Sequence, residues 1–205
     1  MGNSNAVMDE HGSSGWYKTT EQDFRNGYGI YLEGTDRLRI VNNLIGKCNK
    51  AVFFSKVVAF RMQPKRGGTS RENKFFNNLF YQCGEAAIIL PNEHNTVEGN
   101  AYSKMPGGYL RVMYPEPEMC LDLDTWQEFC GFDKTGCTCD VEIDINSYDM
   151  TMEVTLEKEL PLVDEDEKVY TDYFGITYGE RRTAGPFIGL TGGKVIFSID
   201  PRKRD

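Results

Sequence analysis

GIYLEG (29–34), AVFFSK (51–56) and AAIILPN (86–92) are three versions of one strand, and the residues after each repeat as well. RIVNNLIGKC (39–48), NKFFNNLFYQC (73–83) and NTVEGNAYSKM (95–105) overlay without gaps at their cores. Ile30, Val52 and Ala87 take one equivalent place. Asn43, Asn78 and Asn100 take another, and Cys48, Cys83 and Met105 a third. The spacings agree: 52−30 and 100−78 both give 22, while 87−52 and 78−43 both give 35.

A period of about twenty-odd residues with two short β-rich runs per unit is the mark of stacked repeats. Neither run reads as a helix, because the apolar residues lack three-four spacing and Asn-Asn sits mid-run. The expected fold is all-β: a short parallel β-helix of three to four rungs, in which like residues lie above one another roughly 4.8 Å apart. Asn43, Asn78 and Asn100 would then form a ladder of side-chain amides. Ile40, Phe75 and Val97, and likewise Ile45, Phe80 and Tyr102, would be apolar columns filling the interior. Cys48 and Cys83, in matching places, read as an interior column of free thiols.

Asn-Asn runs such as NNLI (42–45) and NNLF (77–80) on this period resemble the right-handed parallel β-helix (pectate-lyase-like) superfamily of carbohydrate-active proteins. The rungs over residues 29–102 are similar to the core of the glycoside hydrolase family 120 β-xylosidases. Those enzymes carry a G-[IL]-W-L-D strand whose Asp is the nucleophile, with a Glu one rung later as acid/base. Laid on AVFFS, the nucleophile place falls at Ser55 and the acid/base among residues 88–90. One rung earlier, Glu33 takes the nucleophile place, but Ser55 or Lys56 then stands where the acid belongs. The carboxylate pair of the family is therefore not preserved.

Strand alternation sends Ile30 and Leu32 inward and Tyr31 and Glu33 outward, with Val52 and Phe54 inward and Phe53 and Ser55 outward. The outer face is thus aromatic, with Glu33 and then Asp36 at its end. Rings beside acids suit a sugar, and two carboxylates are what glycosidic cleavage uses. Glu33 and Asp36 are the candidate acids, and Tyr31 and Phe53 the candidate sugar platform. The second unit also carries 35−22, or thirteen, extra residues: AFRMQPKRGGTSR (59–71). Extra residues loop out on one flank of such a stack, where they commonly wall a binding face. Arg61, with Lys56 before it, suits carboxylated sugars such as uronates. A lyase would use Lys56 or Arg61 as base, but no stacked acids suggest calcium. Glu93 and His94 read as turn residues, and His11 as a solvated loop residue.

The other segments fall around this core. Residues 1–26 form an N-terminal arm or cap, and 27–114 the rungs, with GGYLRVMY (107–114) as one more strand. Residues 115–139 form a capping loop and short helix. There Asp124 is the expected N-cap, with Gln127 in the capping-box place; Trp126 and Phe129 are expected to cover the end of the stack. Residues 140–205 form an antiparallel appendage, with VEIDI (141–145) and MTMEVTL (150–156) as a hairpin and KVIFSI (194–199) as a final strand. The DYFG…AGPF tail (172–187) resembles the closing segment of bacterial proteins of this type. Cys120, Cys130, Cys137 and Cys139 lack the paired spacing of a zinc site, so neither metal nor cofactor is expected. A disulfide among them requires an oxidising compartment.

A net charge of −8 over 205 residues argues against a nucleic-acid binder. No apolar run approaches the ~20 residues that cross a membrane, and no signal peptide is visible. Cytoplasmic residence and secretion as part of a longer chain both stay open, as does truncation. The expected partner is carbohydrate. Two functions follow: a glycoside hydrolase-like protein acting on or binding plant or bacterial polysaccharide, or a non-catalytic carbohydrate-binding or structural fragment of a larger β-helix enzyme.

Overall fold

The computed structural model describes residues 7–8, 14–15, 28–32, 35–48, 50–54, 71–84, 86–90, 94–105, 110–112, 119–177 and 179–203. The described residues are mostly strands with one short helix, so the protein is all-β. β1 (Val7–Met8) and β2 (Ser14–Gly15) pair antiparallel. The repeats then supply β3 (Tyr28–Leu32), β4 (Arg39–Val41) and β5 (Leu44–Gly46), followed by β6 (Lys50–Phe54), β7 (Lys74–Phe76) and β8 (Leu79–Tyr81). The third set is β9 (Ala86–Leu90), β10 (Thr96–Glu98) and β11 (Ala101–Ser103). Like strands pair parallel, β6 between β3 and β9, β7 between β4 and β10, β8 between β5 and β11. β12 (Leu110–Val112) extends the first sheet in parallel. β13 (Met119–Leu121) closes that sheet antiparallel. β14 (Cys137–Cys139) extends the third sheet in parallel.

Two details of the sequence reading are corrected. The second run of each unit is two strands, not one, because the chain turns at Asn-Asn. Asn42, Asn77 and Gly99 occupy matching places with φ of 59°, 55° and 70°, a left-handed bend that ends one strand before the next begins. Glycine is required in the third unit, since a Cβ on Gly99 would run into Asn77 Oδ1. Two further columns, Arg37, Glu72 and His94, then Lys47, Gln82 and Lys104, make the same bend. The register of the first strand is also one residue later than read. Val52 pairs with Ile88, not Ala87, because the chain from there to β10 is one residue shorter than its counterpart in the first unit (97−88 against 40−30).

The Asn residues at the bend form the ladder. Asn43 Nδ2 donates to Asn78 Oδ1 at 3.0 Å, and Asn78 Nδ2 to Asn100 Oδ1 at 3.0 Å. Each acceptor also takes the backbone N–H of the preceding Asn, at 3.1 and 2.9 Å. Buried turn amides thus find the partners they need. A second, shorter file runs beside it: Leu38 N donates to Asn73 Oδ1 and Asn73 N to Asn95 Oδ1. Between the sheets lies the inner core. Ile40, Phe75, Val97, Ile45, Phe80 and Tyr102 are all buried in it, along with Val52, Cys48, Cys83 and Met105. Each large apolar side chain so enclosed contributes about 1.5–3 kcal/mol. Phe80 and Tyr102 stack with ring centres 5.3 Å apart.

The end of this core is closed by α1 (Leu123–Thr125), continued by a wider turn over Trp126–Cys130. Asp122, not Asp124, is its N-cap, because its carboxylate accepts from Thr125 N. Trp126 is fully buried against Phe132, with centroids 5.1 Å apart. Phe129 points away and is 71% exposed, so Leu121 and Leu123 share the sealing with Trp126 instead.

Beyond it, β15 (Val141–Asn146), β16 (Thr151–Leu156) and a later strand over Gly193–Ser198 form an antiparallel sheet with β16 central. Val141, Ile143, Met152, Val154 and Leu156 pack on Leu79, Tyr81 and Ala101, which point out of the third parallel sheet. Alternation explains the division, since Phe80 and Tyr102 face the inner core while their neighbours face this second one. β17 (Leu162–Asp164) and β18 (Arg181–Thr183) form a small ladder; the strand over Gly193–Ser198 is β19. The segment carrying β17 and β18 runs along the Asn bend. Asn77 Nδ2 donates to Asp164 O, Asn42 Nδ2 to Val169 O, and Arg39 pairs with Asp166.

Candidate functional site

β3 and β6 place Tyr31 opposite Phe53, the two proposed platform residues, in one cross-strand column that continues to Ile89 and Arg111. Their neighbours Leu32 and Val52 are buried in the inner core, with Ile30 packed against it. Glu33, Lys56 and Arg61 lie outside the described residues.

Asp36 is half-buried at the turn after β3. Its Oδ1 accepts from Arg71 N at 3.2 Å and its Oδ2 from Arg71 Nε at 3.3 Å. Arg37 N donates back to Arg71 O, and Asn73 Nδ2 donates to Thr35 O. Arg71 is the last residue of the basic insertion, so the insertion returns beside Asp36. Phe54, the last described residue before the insertion, pairs with Leu32 at the end of β6. Sequence reasoning named Asp36 and the insertion but missed Arg71 as the partner of Asp36. The signal was present: 71−36 equals the 35-residue spacing that relates Asn43 to Asn78.

His94 sits at an exposed left-handed bend, as a turn residue. Another carboxylate missed from sequence is Asp133, fully buried at the end of the Asn ladder. Its Oδ1 accepts from Asn100 N at 3.0 Å, and its Oδ2 accepts from Asn100 Nδ2 at 3.2 Å and from Tyr102 Oη at 2.5 Å. Burial raises this carboxyl to about 6, against the hydrogen bonds from Tyr102 and Asn100 that favour its charged form. Burial likewise raises the Tyr102 hydroxyl, with the Asp133 charge adding to it. Enclosed as it is, Asp133 holds structure and offers no face to a substrate.

Cys48, Cys83, Cys130, Cys137 and Cys139 are free thiols. Burial pushes Cys137 up to about 11 and Cys139 up to about 12, so both stay protonated at neutral pH. Among the described residues no group of three or more His, Cys, Asp or Glu is placed to hold a metal ion. A cavity of about 350 Å³ lies between the second core and β14, lined by Thr138, Cys139, Asp140, Glu157, Lys158, Glu159, Leu160 and Pro161. No described helix is long and apolar enough to cross a membrane. No family model, curated protein or solved structure matches the chain.

Proposed function

We propose that this chain is a short right-handed parallel β-helix of the pectate-lyase-like kind that acts on or binds a plant or bacterial polysaccharide, in the manner of a glycoside hydrolase. Parallel, in-register pairing of like strands and the hydrogen-bonded Asn file support the architecture. One observation carries the function. Phe54, the last described residue before the basic insertion, pairs with Leu32, and Arg71, the insertion's last residue, binds Asp36, which supports a reading in which the insertion and the acids share one face. Tyr31 and Phe53 would offer ring faces to a sugar, and Lys56 and Arg61 charges to a uronate carboxylate. Glu33 and Asp36 are the acids for bond cleavage.

The second reading, a non-catalytic carbohydrate-binding or structural piece, is favoured by the Asp36–Arg71 pair. A carboxylate already accepting two bonds from one arginine is less free to trade a proton with a glycosidic oxygen. Turnover of aryl glycosides by the wild type and by Glu33→Gln separates the two. Hydrolysis predicts activity lost in Glu33→Gln with the melting temperature unchanged. Binding without cleavage predicts no turnover by either, but heat on titration with an oligosaccharide that disappears in Tyr31→Ala. A glycan screen giving neither heat nor a melting shift rejects both.

A further inference from the structure

We propose that the sulfur column of Cys48, Cys83 and Met105 is a binding site for one soft monovalent cation of the copper(I) class. The three residues hold the same place in successive repeats, so the backbone stacks their side chains in one file at the edge of the inner core. Cys48 Sγ and Cys83 Sγ are 3.7 Å apart, and Met105 is buried in the same cluster. A metal–thiolate bond of about 2.3 Å, arranged trigonally, sets sulfurs about 4.0 Å apart. The two thiols therefore need to part by only a few tenths of an ångström to admit the ion.

The donor chemistry selects the ion. Two thiolates and a thioether suit copper(I) and its d¹⁰ relatives, while calcium, magnesium and manganese want carboxylate and carbonyl oxygen. An entry path exists, because Cys83 and Met105 both line an open cavity of about 430 Å³ shared with Gln82, Gly84 and Lys104. None of those side chains is a carboxylate that would draw a hard cation. Charge also balances acceptably. Two thiols release two protons to solvent, one monovalent cation enters, and the bound group keeps a single negative charge, with Lys104, whose ammonium pairs with Glu142, on the cavity wall.

The test titrates the full reduced chain with silver(I), which does no redox chemistry, and counts bound ions by native mass spectrometry. Copper(I)-loaded protein is then measured anaerobically by X-ray absorption. The expected result is one tightly held ion per chain and a copper shell of sulfur alone at about 2.3 Å. Met105→Leu, close in volume, should keep the fold. It should weaken that equivalent by more than the roughly 10- to 100-fold seen when a ligand's supporting hydrogen-bond partner is lost. Cys83→Ala should abolish it; if circular dichroism finds that variant unfolded, Met105→Leu and the absorption shell decide. Silver held instead by other cysteines leaves the equivalent intact in both variants, and that result, or nitrogen and oxygen in the copper shell, overturns the proposal.

Discussion

Asp133 shows how much one residue type decides. Asn repeats up the bend, and then a carboxylate takes the next place and accepts from Asn100 N, Asn100 Nδ2 and Tyr102 Oη. Its folded carboxyl titrates near 6 against an ordinary 3.8, with Glu98 and Cys137 the other titratable groups near this site. Between those values the folded protein keeps a proton that the unfolded chain has released. Stability therefore falls as pH rises from about 4 to 6, by roughly 3 kcal/mol at its fullest. Asp133→Asn removes that titration. Urea midpoints measured from pH 4 to 7 should decline more steeply for the wild type than for the variant. Parallel profiles would show that Asp133 is not the group responsible.

At the scale of elements, the repeats were legible because each residue speaks through its column. Ile45, Phe80 and Tyr102 could be assigned to the interior from spacing alone, and all three are buried there. Asn42 and Asn77 were legible as Asn but not as corners, since a left-handed φ leaves no apolar pattern behind. The one-residue slip at β9 was hidden for a similar reason: AAIIL is apolar throughout and fits either register. The closing helix was misread in detail because Asp122 and Asp124 both precede an apolar run, and the hydrogen bond to Thr125 selects the first. Of the candidate site, Asp36 could be named from the sequence, but its long-range pairing with Arg71 could not. The difference between Trp126 and Phe129 is measurable. Trp126→Ala should destabilise by about 3–5 kcal/mol, as a large buried side chain lost from a sealed core does. Phe129→Ala should stay within about 0.5 kcal/mol. Equal losses in thermal or urea unfolding would mean that both rings seal the core.

At the scale of the whole molecule, the described residues form two cores sharing one wall. The third parallel sheet gives Phe80 and Tyr102 to one side and Leu79, Tyr81 and Ala101 to the other. Residues 140–205 therefore cover a face that the repeats cannot leave bare, and Arg39–Asp166 and the Asn bonds to Asp164 and Val169 fasten them. Removing residues 140–205 should expose Leu79 and Tyr81. The truncated chain is expected to bind an apolar dye and to self-associate, seen by fluorescence and light scattering. A monomeric, dye-negative fragment would mean that the parallel sheets stand without this cover.

The file of side-chain amides has a direction. Asn43 passes a hydrogen to the later repeat, and Asn78 and Asn100 each take one and pass one on in the same direction, whereas an ionised carboxylate can only receive. A carboxylate in that line acts as a full stop. Beyond Asp133 the pattern has nothing to hand to another turn of chain; β14 still joins the stack in parallel, and the antiparallel strands after it build sideways instead of upward.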